Sequence, residues 1–145
     1  MKFAVGCDDP NEVTDAVIAD LHQRGHLVQV FAPAPWPEIA RKVANEVAAG
    51  RADQGVLFCW TGTGTAMAAN KVAGVRAALA WDPWIAEGAR RWNDANVLVM
   101  SCKRTSVAEA ARILDAWLSV EAPDPDEAPN IALLAEIERD SRGRT

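Results

Sequence analysis

The sequence has no tyrosine and only two histidines, so it offers few side chains for acid–base chemistry near neutral pH. Without tyrosine, a phenol cannot serve as acid, base or nucleophile. The cysteines and histidines are not grouped with the spacing of zinc ligands, and His22 and His26 flank a predicted helix end. We therefore expect no metal site.

Cysteine is also scarce, since the chain has only Cys7, Cys59 and Cys102. An odd number of widely separated cysteines is not a disulfide framework. We therefore expect free thiols in a reducing compartment, which predicts a cytoplasmic protein.

An excess of positive charge and long apolar runs are both missing. The chain has fifteen lysines and arginines and twenty acidic residues, which gives a net charge of −5 and a pI near 5.0. Without a basic stripe, nucleic acid is not expected as a partner. No apolar run reaches the length of a membrane span, and residues 1–6 predict a strand rather than a signal peptide.

Short apolar segments alternate with helical ones along the 145 residues, a length typical of one domain. Helices are predicted from Asn11 or Thr14 to Arg24, and then at residues 38–49, 66–74, 82–91, 107–120 and 131–139. Strands are predicted at residues 3–5, 27–31, 55–59, 75–80 and 96–100. The alternation predicts an α/β fold, a three-layer α/β/α sandwich with a five-stranded parallel sheet.

Two proline-rich segments interrupt this pattern. Three prolines at alternate positions predict an extended loop at residues 32–37, and an acidic segment with three prolines predicts a linker at residues 122–129. We therefore divide the chain into an α/β domain, residues 1–121, and a linker with a C-terminal helix, residues 122–145. That helix is expected to pack on the same domain or on a partner subunit, with residues 141–145 frayed.

Cys59 is the strongest candidate for a catalytic group. Sites in parallel sheets gather at the carboxyl ends of the strands, and Cys59 ends a buried strand just before a glycine loop and a helix. Free N–H groups at a helix start favour a thiolate and can hold a developing oxyanion. The alternative is a buried structural cysteine, which is how we interpret Cys102. Cys7 has a similar position but a weaker loop.

The loop that contains Thr61, Gly62, Thr63 and Gly64 has two interpretations. It is either an anion-binding loop at a helix start or part of a dinucleotide fingerprint, with Asp82 as the ribose-binding acid. Met67, at the position of the third glycine, argues against the dinucleotide.

Polar and aromatic residues lie near the same predicted edge. Asp8 and Asp9 follow the first strand, where they either line a site or form a turn or helix cap. Asn93 precedes the fifth strand and has the same two interpretations. Tryptophans near loops predict an aromatic wall or an oligomer interface rather than core alone; they are Trp36, Trp60, Trp81, Trp84 and Trp92.

Several of these segments together resemble the ribose-5-phosphate isomerase B family, which includes the galactose-6-phosphate isomerase subunits. The resemblance runs from Met1 to about Ser119. It is carried by residues 55–64, 68–78, 82–83 and 93–98, and by the shorter stretches 6–8 and 113–118.

The resemblance implies a Rossmann-like fold, a homodimer or homotetramer, and active sites at the subunit interface. It implies an aldose–ketose isomerase that acts on a sugar or sugar phosphate without metal or cofactor. Cys59 would move the proton between C1 and C2, and the loop with Thr61, Gly62 and Gly64 would stabilise the enediolate. Asp8 and Asn93 match residues that contact the sugar.

The sequence departs from the family at several of these positions. Trp92 replaces the histidine that opens the sugar ring, Asp9 replaces a histidine, and Trp60 replaces a glycine. Residues 124–130 are acidic and contain no arginine, where the family has arginines that hold the phosphate. Basic residues elsewhere, on this chain or a neighbouring subunit, are the alternative phosphate ligands; they are Arg76, Arg90, Arg91, Lys103 and Arg104. Some members use a glutamate as the base at the position of Thr65, so this chain is of the cysteine type.

Three functions follow from these observations. The first is an isomerase or epimerase of altered specificity, in which Trp60 and Trp92 line the substrate pocket together with Thr63. The second is a conventional ribose-5-phosphate or galactose-6-phosphate isomerase, either alone or as one subunit of a heteromer. The third is a non-catalytic sugar-binding protein, although a binder would not need a base at Cys59.

Overall fold

The computed structural model describes residues 1–144, which form one five-stranded, all-parallel sheet in the order β2-β1-β3-β5-β4. The strands are β1 (Lys2–Cys7), β2 (Leu27–Val30), β3 (Gln54–Cys59), β4 (Ala77–Leu79) and β5 (Val97–Ser101). Every residue of the central strand β3 is buried, as expected when helices cover both faces of a sheet. The predicted α/β/α sandwich is confirmed.

Six α-helices connect and flank these strands within the same residues. They are α1 (Glu12–Gln23), α2 (Trp36–Ala48), α3 (Thr63–Ala69), α4 (Pro83–Asn93), α5 (Val107–Leu118) and α6 (Ala128–Arg142). Helices α1, α4 and α5 pack on one face of the sheet around the buried Trp117, while α2 and α3 pack on the other around Val43. None of the described helices is long and apolar enough to cross a bilayer.

The start of α2 differs from the prediction. Residues 32–37 were predicted to be extended throughout, but the helix begins at Trp36 and includes Pro37 in its first turn. Proline is tolerated there because the first N–H groups of a helix have no partner within the helix. This start brings the Trp36 ring to the loop that follows β3.

The boundaries of α3 and β4 were also predicted too broadly. Helix α3 ends at Ala69 rather than at Gly74, and β4 contains only residues 77–79. The Asn96 side chain accepts the Arg76 N–H at 2.7 Å, so a side chain takes the place of a strand carbonyl just before β4. The Asn70 side chain binds the N–H and the C=O of Ala77, the first residue of the strand, which also pairs with Val97.

The C-terminal segment contains more helix than predicted. A 3₁₀ turn (Pro125–Glu127) lies inside the predicted linker and leads into α6, which includes Ser141 and Arg142. These two residues were expected to be frayed; Thr145 lies outside the described residues. Glu138 accepts a hydrogen bond of 3.0 Å from the Gly74 N–H, so α6 contacts the first 121 residues of its own chain. The division at residue 121 stays a prediction.

The parallel sheet has two distinct edges. All five strands end at one edge, the carboxyl edge, and begin at the other, the amino edge. Cys59, as the last residue of β3, lies at the carboxyl edge. Helix α4 starts after β4 and must return to the beginning of the parallel β5, so its last residues lie near the amino edge.

Candidate active site

The Cys59 thiol is surrounded by hydrogen-bond donors from the turn that follows β3. Its Sγ accepts the Gly62 N–H at 3.1 Å and the Thr65 hydroxyl at 3.5 Å. The side chain is buried, with 5% of the residue exposed. Donors that converge on a sulfur atom stabilise its negatively charged form.

These hydrogen-bond donors lower the pKa of the Cys59 thiol. Burial raises the pKa of Cys59, but the Thr65 hydroxyl and the N–H groups of Thr65, Gly62 and Gly64 together outweigh burial, so the pKa lies below that of an ordinary cysteine. A larger thiolate fraction at neutral pH makes Cys59 a better proton acceptor.

The other two thiols shift in the opposite direction. Burial raises the pKa of Cys7 to about 12, and burial also raises the pKa of Cys102. All three side chains are buried, so the difference lies in their other surroundings: Cys59 accepts several hydrogen bonds, whereas the Asp8 charge adds to the effect of burial on the pKa of Cys7 and Cys102. Only the Cys59 surroundings favour a thiolate.

The shape of the loop depends on Gly62. This residue has φ +82°, and a Cβ atom there would lie 2.4 Å from Leu79 Cδ1 and 3.2 Å from the Met100 carbonyl carbon. Only glycine adopts this conformation readily in so little space. Gly64 has a different neighbour, because a Cβ atom there would meet the Trp36 ring at 3.0 Å. Trp36 therefore packs directly against the loop.

Two threonine hydroxyls at the loop surface bind each other. Thr61 Oγ1 and Thr63 Oγ1 are 2.7 Å apart, and the Thr63 N–H also donates to Thr61 Oγ1 at 3.3 Å. Both residues are exposed, in contrast to the buried Thr65. The two hydroxyls are therefore accessible to a ligand above the loop.

Asp8 and Asp9 lie at the end of the neighbouring strand β1. Cys7 pairs with Phe58 in the β1–β3 ladder, so the next residue, Asp8, follows at the level of Cys59. Asp9 Oδ2 accepts the Trp60 indole N–H at 2.8 Å and lies 3.6 Å from Lys103 Nζ. We call Asp9, Trp60 and Lys103 the rim cluster.

Lys103 completes this cluster. Its ammonium nitrogen lies 5.2 Å from the centre of the Trp60 ring, within the range of a cation–π contact. The cluster is joined to the Cys59 strand because the Cys102 N–H donates to the Cys59 carbonyl at 2.9 Å, and Ser101 Oγ donates to the Trp60 carbonyl. The ends of β1, β3 and β5 thus meet here.

Trp92 and Asn93 are not brought to Cys59 within one chain. Both lie in the last turn of α4, near the amino edge, whereas Cys59 lies at the carboxyl edge. Trp92 packs edge-on against Trp84 and against Gly88. Asn93 lines a cavity between the start of β4 and α6. The geometry therefore separates these two from the other predicted site residues.

Three further residues lie at the site, of which Trp36 was predicted only as part of an aromatic wall or oligomer interface and Lys103 only as one of several candidate basic residues. Thr65 binds the Cys59 sulfur, Trp36 covers Gly64, and Lys103 belongs to the rim cluster. A signal existed for each, since Thr65 directly follows Gly64 of the loop and the other two come after strand ends. The directions of their side chains depend on the start of α2, the turn of α3 and the end of β5.

Asp82, the residue that a dinucleotide site would need to bind the ribose, is engaged elsewhere. The Asp82 carboxylate accepts the Ile85 N–H at 2.9 Å and caps α4, so it serves the helix start. Among the described residues, no group of three or more histidine, cysteine, aspartate or glutamate side chains could hold a metal ion. The chemistry of the site is that of a thiol, hydroxyls, carboxylates and main-chain N–H groups.

Comparisons with known proteins agree with this geometry. Residues 3–133 match the sequence profile of the family described as Ribose/Galactose Isomerase. Ribose-5-P isomerase B of Listeria innocua is 34% identical over 148 residues, covering 98% of this chain and 100% of the relative. D-erythrulose-4-phosphate isomerase of Pectobacterium atrosepticum is 29% identical, covering 98% of each chain.

A solved structure shows the same similarity in three dimensions. Ribose-5-phosphate isomerase B of Clostridium thermocellum superposes with a TM-score of 0.92 at 32% identity, covering 97% of this chain and 99% of that one. The profile match, the full-length relatives and the fold all agree. The chain is therefore an isomerase that belongs to the ribose/galactose isomerase family.

Proposed function

We propose that this protein interconverts an aldose and a ketose, with Cys59 as the base that moves a proton between C1 and C2. The thiolate removes a proton from the carbon beside the carbonyl group, and the electron pair left behind forms an enediolate. A proton passes from the oxygen on C2 to the oxygen on C1, and the resulting thiol returns a proton to C1, which completes the isomerisation. Atoms and charge balance without an oxidant or a cofactor.

The observation that carries this proposal is the set of donors on the Cys59 sulfur. The Gly62 N–H and the Thr65 hydroxyl hold the sulfur in place, and the pKa of Cys59 is lowered despite its burial. A buried cysteine with a purely structural role does not need such donors. This arrangement also argues against a non-catalytic sugar-binding protein.

The loop supports a division of roles between its polar groups. Because Gly62 and Thr65 already donate to the sulfur, we assign the enediolate oxygens to the exposed hydroxyls of Thr61 and Thr63. Donors that are fixed before the reaction stabilise developing negative charge at little reorganisation cost. Asp8, at the level of Cys59, is assigned to the sugar hydroxyls.

We further propose that the substrate is an unphosphorylated or already open-chain sugar. Residues 124–130 are acidic where the family has phosphate-binding arginines, and negative charge there disfavours a phosphate dianion. Trp92 replaces the ring-opening histidine and cannot transfer a proton in its place. Trp60 and Trp92 would instead supply flat apolar walls for the sugar.

We propose that a complete active site also requires residues from a second copy of the chain. Trp92 and Asn93 lie near the opposite edge of the sheet from Cys59, so a partner subunit would present them to the site. Exposed tryptophans support such an assembly, since Trp81 and Trp84 are each about two-thirds exposed. We therefore propose a homodimer or homotetramer with active sites between subunits.

The second candidate is a conventional sugar-phosphate isomerase, acting alone or as one subunit of a heteromer. The names of the relatives favour it, because both curated relatives described above act on phosphorylated sugars. In a heteromer, the other subunit would supply the missing histidine and arginines. Activity on ribose 5-phosphate or galactose 6-phosphate from this chain alone, or only after mixing with a paralogue, would favour this candidate.

The test is turnover of a panel of free and phosphorylated sugars by the wild type, Cys59→Ala and Cys102→Ala. We expect Cys59→Ala to lose about 10²–10⁴-fold in kcat, the usual contribution of a positioned base. Cys102→Ala serves as the matched control and should stay active. Equal rates in the wild type and Cys59→Ala would contradict the assignment of the base.

A further inference from the structure

We propose that Asp9 is a specificity-determining residue, which disfavours a phosphate group and favours an uncharged hydroxyl at the substrate end remote from Cys59. This inference rests on the proposed isomerase function and adds the residue that selects the substrate class. It comes from the rim cluster of Asp9, Trp60 and Lys103.

The Asp9 carboxylate is fixed and charged. The hydrogen bond from the Trp60 indole and the nearby Lys103 ammonium lower the pKa of Asp9, so it is ionised throughout the neutral range. The indole N–H, 2.8 Å from Oδ2, also holds the carboxylate above the end of β3. A negative charge therefore stays at this point of the rim regardless of where the lysine side chain moves.

This charge compensates the cation of the cluster. Lys103 Nζ lies 3.6 Å from Asp9 Oδ2 and 5.2 Å from the centre of the Trp60 ring. A phosphate dianion that approaches Lys103 would have to displace this carboxylate or tolerate two negative charges at close range. Like charges in contact cost binding free energy even near water. Asp9 thus cancels the anion-binding capacity of Lys103.

The same atoms suit a neutral sugar. Among residues 1–144, Asp9 Oδ1 has no hydrogen-bond partner, so it is open to accept one from a sugar hydroxyl. The Trp60 side chain is largely exposed and offers a flat face for C–H groups of the sugar chain. A carboxylate oxygen beside an aromatic face is complementary to a polyol rather than to a phosphate.

The rim cluster lies at the same carboxyl edge as Cys59, where the far end of a bound substrate could reach it. Phe58 packs on the α1 and α5 side and Leu57 on the α2 and α3 side, so the alternation along β3 places Cys59 on the α2 and α3 side. Trp60, the first residue after β3, instead donates to Asp9 at the end of β1. A sugar whose C1 and C2 lie at the Cys59 sulfur would extend across the carboxyl edge to reach Asp9. The reacting carbons and the selected terminus are thus held by different residues.

The experiment measures binding of inorganic phosphate by ³¹P NMR titration at constant ionic strength, which does not require turnover. We expect Asp9→Asn, which keeps an acceptor for Trp60, to bind phosphate about tenfold more tightly than the wild type. The double variant Asp9→Asn with Lys103→Gln should lose this gain. Asp53→Asn, the same change at the amino edge, is the matched control and should leave binding unchanged.

A second readout separates this inference from the proposed function. With a free sugar and its phosphate ester as substrates, Asp9→Asn should shift the ratio of kcat/KM towards the ester, mainly through KM. Equal phosphate affinity in the wild type and Asp9→Asn, or an equal gain in Asp53→Asn, would overturn the role of Asp9. Absence of turnover in every variant would instead contradict the isomerase function. The phosphate titration does not require turnover, so it would still decide the role of Asp9.

Discussion

The surroundings of three chemically identical thiols differ enough in this protein to give them different chemistry. Burial raises the pKa of Cys7 and Cys102, whereas the donors around Cys59 lower its pKa. The sequence predicts that Cys59 ends a strand before a glycine loop, and the structure has it at the end of β3. The sequence was not sufficient to find the Thr65 hydroxyl, whose direction depends on the turn of α3.

The contribution of Thr65 can be tested through the pH dependence of the reaction. Thr65→Val removes the hydroxyl that stabilises the Cys59 thiolate, so the pKa of Cys59 should rise. The acid limb of the kcat/KM profile should move to higher pH by about one unit, since a hydrogen bond to a charged group is worth ~1.5–3 kcal/mol.

Thr65→Ser is the matched control because it keeps a hydroxyl group at the same position. Its profile should lie close to that of the wild type. An unchanged acid limb in Thr65→Val would show that the main-chain N–H groups alone set the pKa of Cys59.

At the scale of elements, the hydrophobic periodicity predicted the number and order of the strands and helices well, but it predicted their ends poorly. The central strands β3 and β5 were predicted almost to the residue because they are apolar throughout. The edge strand β4 was predicted too long, since the Asn96 side chain accepts the Arg76 N–H just before the strand begins. The start of α2 was missed because proline is accepted in a first helical turn.

The loop after β3 gives a prediction on stability. Gly62→Ala should lower the free energy of unfolding by roughly 3 kcal/mol, because a left-handed φ is unfavourable for alanine and its Cβ would overlap Leu79. Gly50→Ala is the control, since Gly50 has a similar φ of +71° with open space around it.

Gly50→Ala should therefore cost only about 1 kcal/mol, the backbone strain alone. Urea unfolding of both variants measures the difference. Equal losses would show that packing against Leu79 does not restrict the loop.

At the scale of the whole molecule, the parallel topology divides the predicted site residues between two edges. Asp8 and Asp9 follow β1 and Cys59 ends β3, so all three lie at the carboxyl edge, whereas Asn93 precedes β5 and lies near the amino edge. This division follows from the order of strands and helices and could be anticipated from the sequence. The rim cluster could not, because it depends on three side chains from the ends of three strands.

The proposal of a shared site predicts complementation between two inactive variants. Cys59→Ala and Asn93→Ala should each lose most activity, but a mixed dimer contains one site with both native residues. Random exchange of subunits in an equal mixture should restore roughly a quarter of the wild-type activity. Activity that does not exceed that of the separate variants, after exchange is verified by mass spectrometry, would contradict a site formed by two chains.

If Cys59 moves a proton through an enediolate, hydrogen at the reacting carbons must exchange with solvent. A panel sugar that the enzyme turns over is incubated in D₂O through many reversible turnovers, and deuterium on C1 and C2 is followed by NMR. We predict that the wild type incorporates deuterium at these carbons and that Cys59→Ala does not. Isomerisation without any deuterium uptake, or uptake by Cys59→Ala at the wild-type rate, would contradict the account.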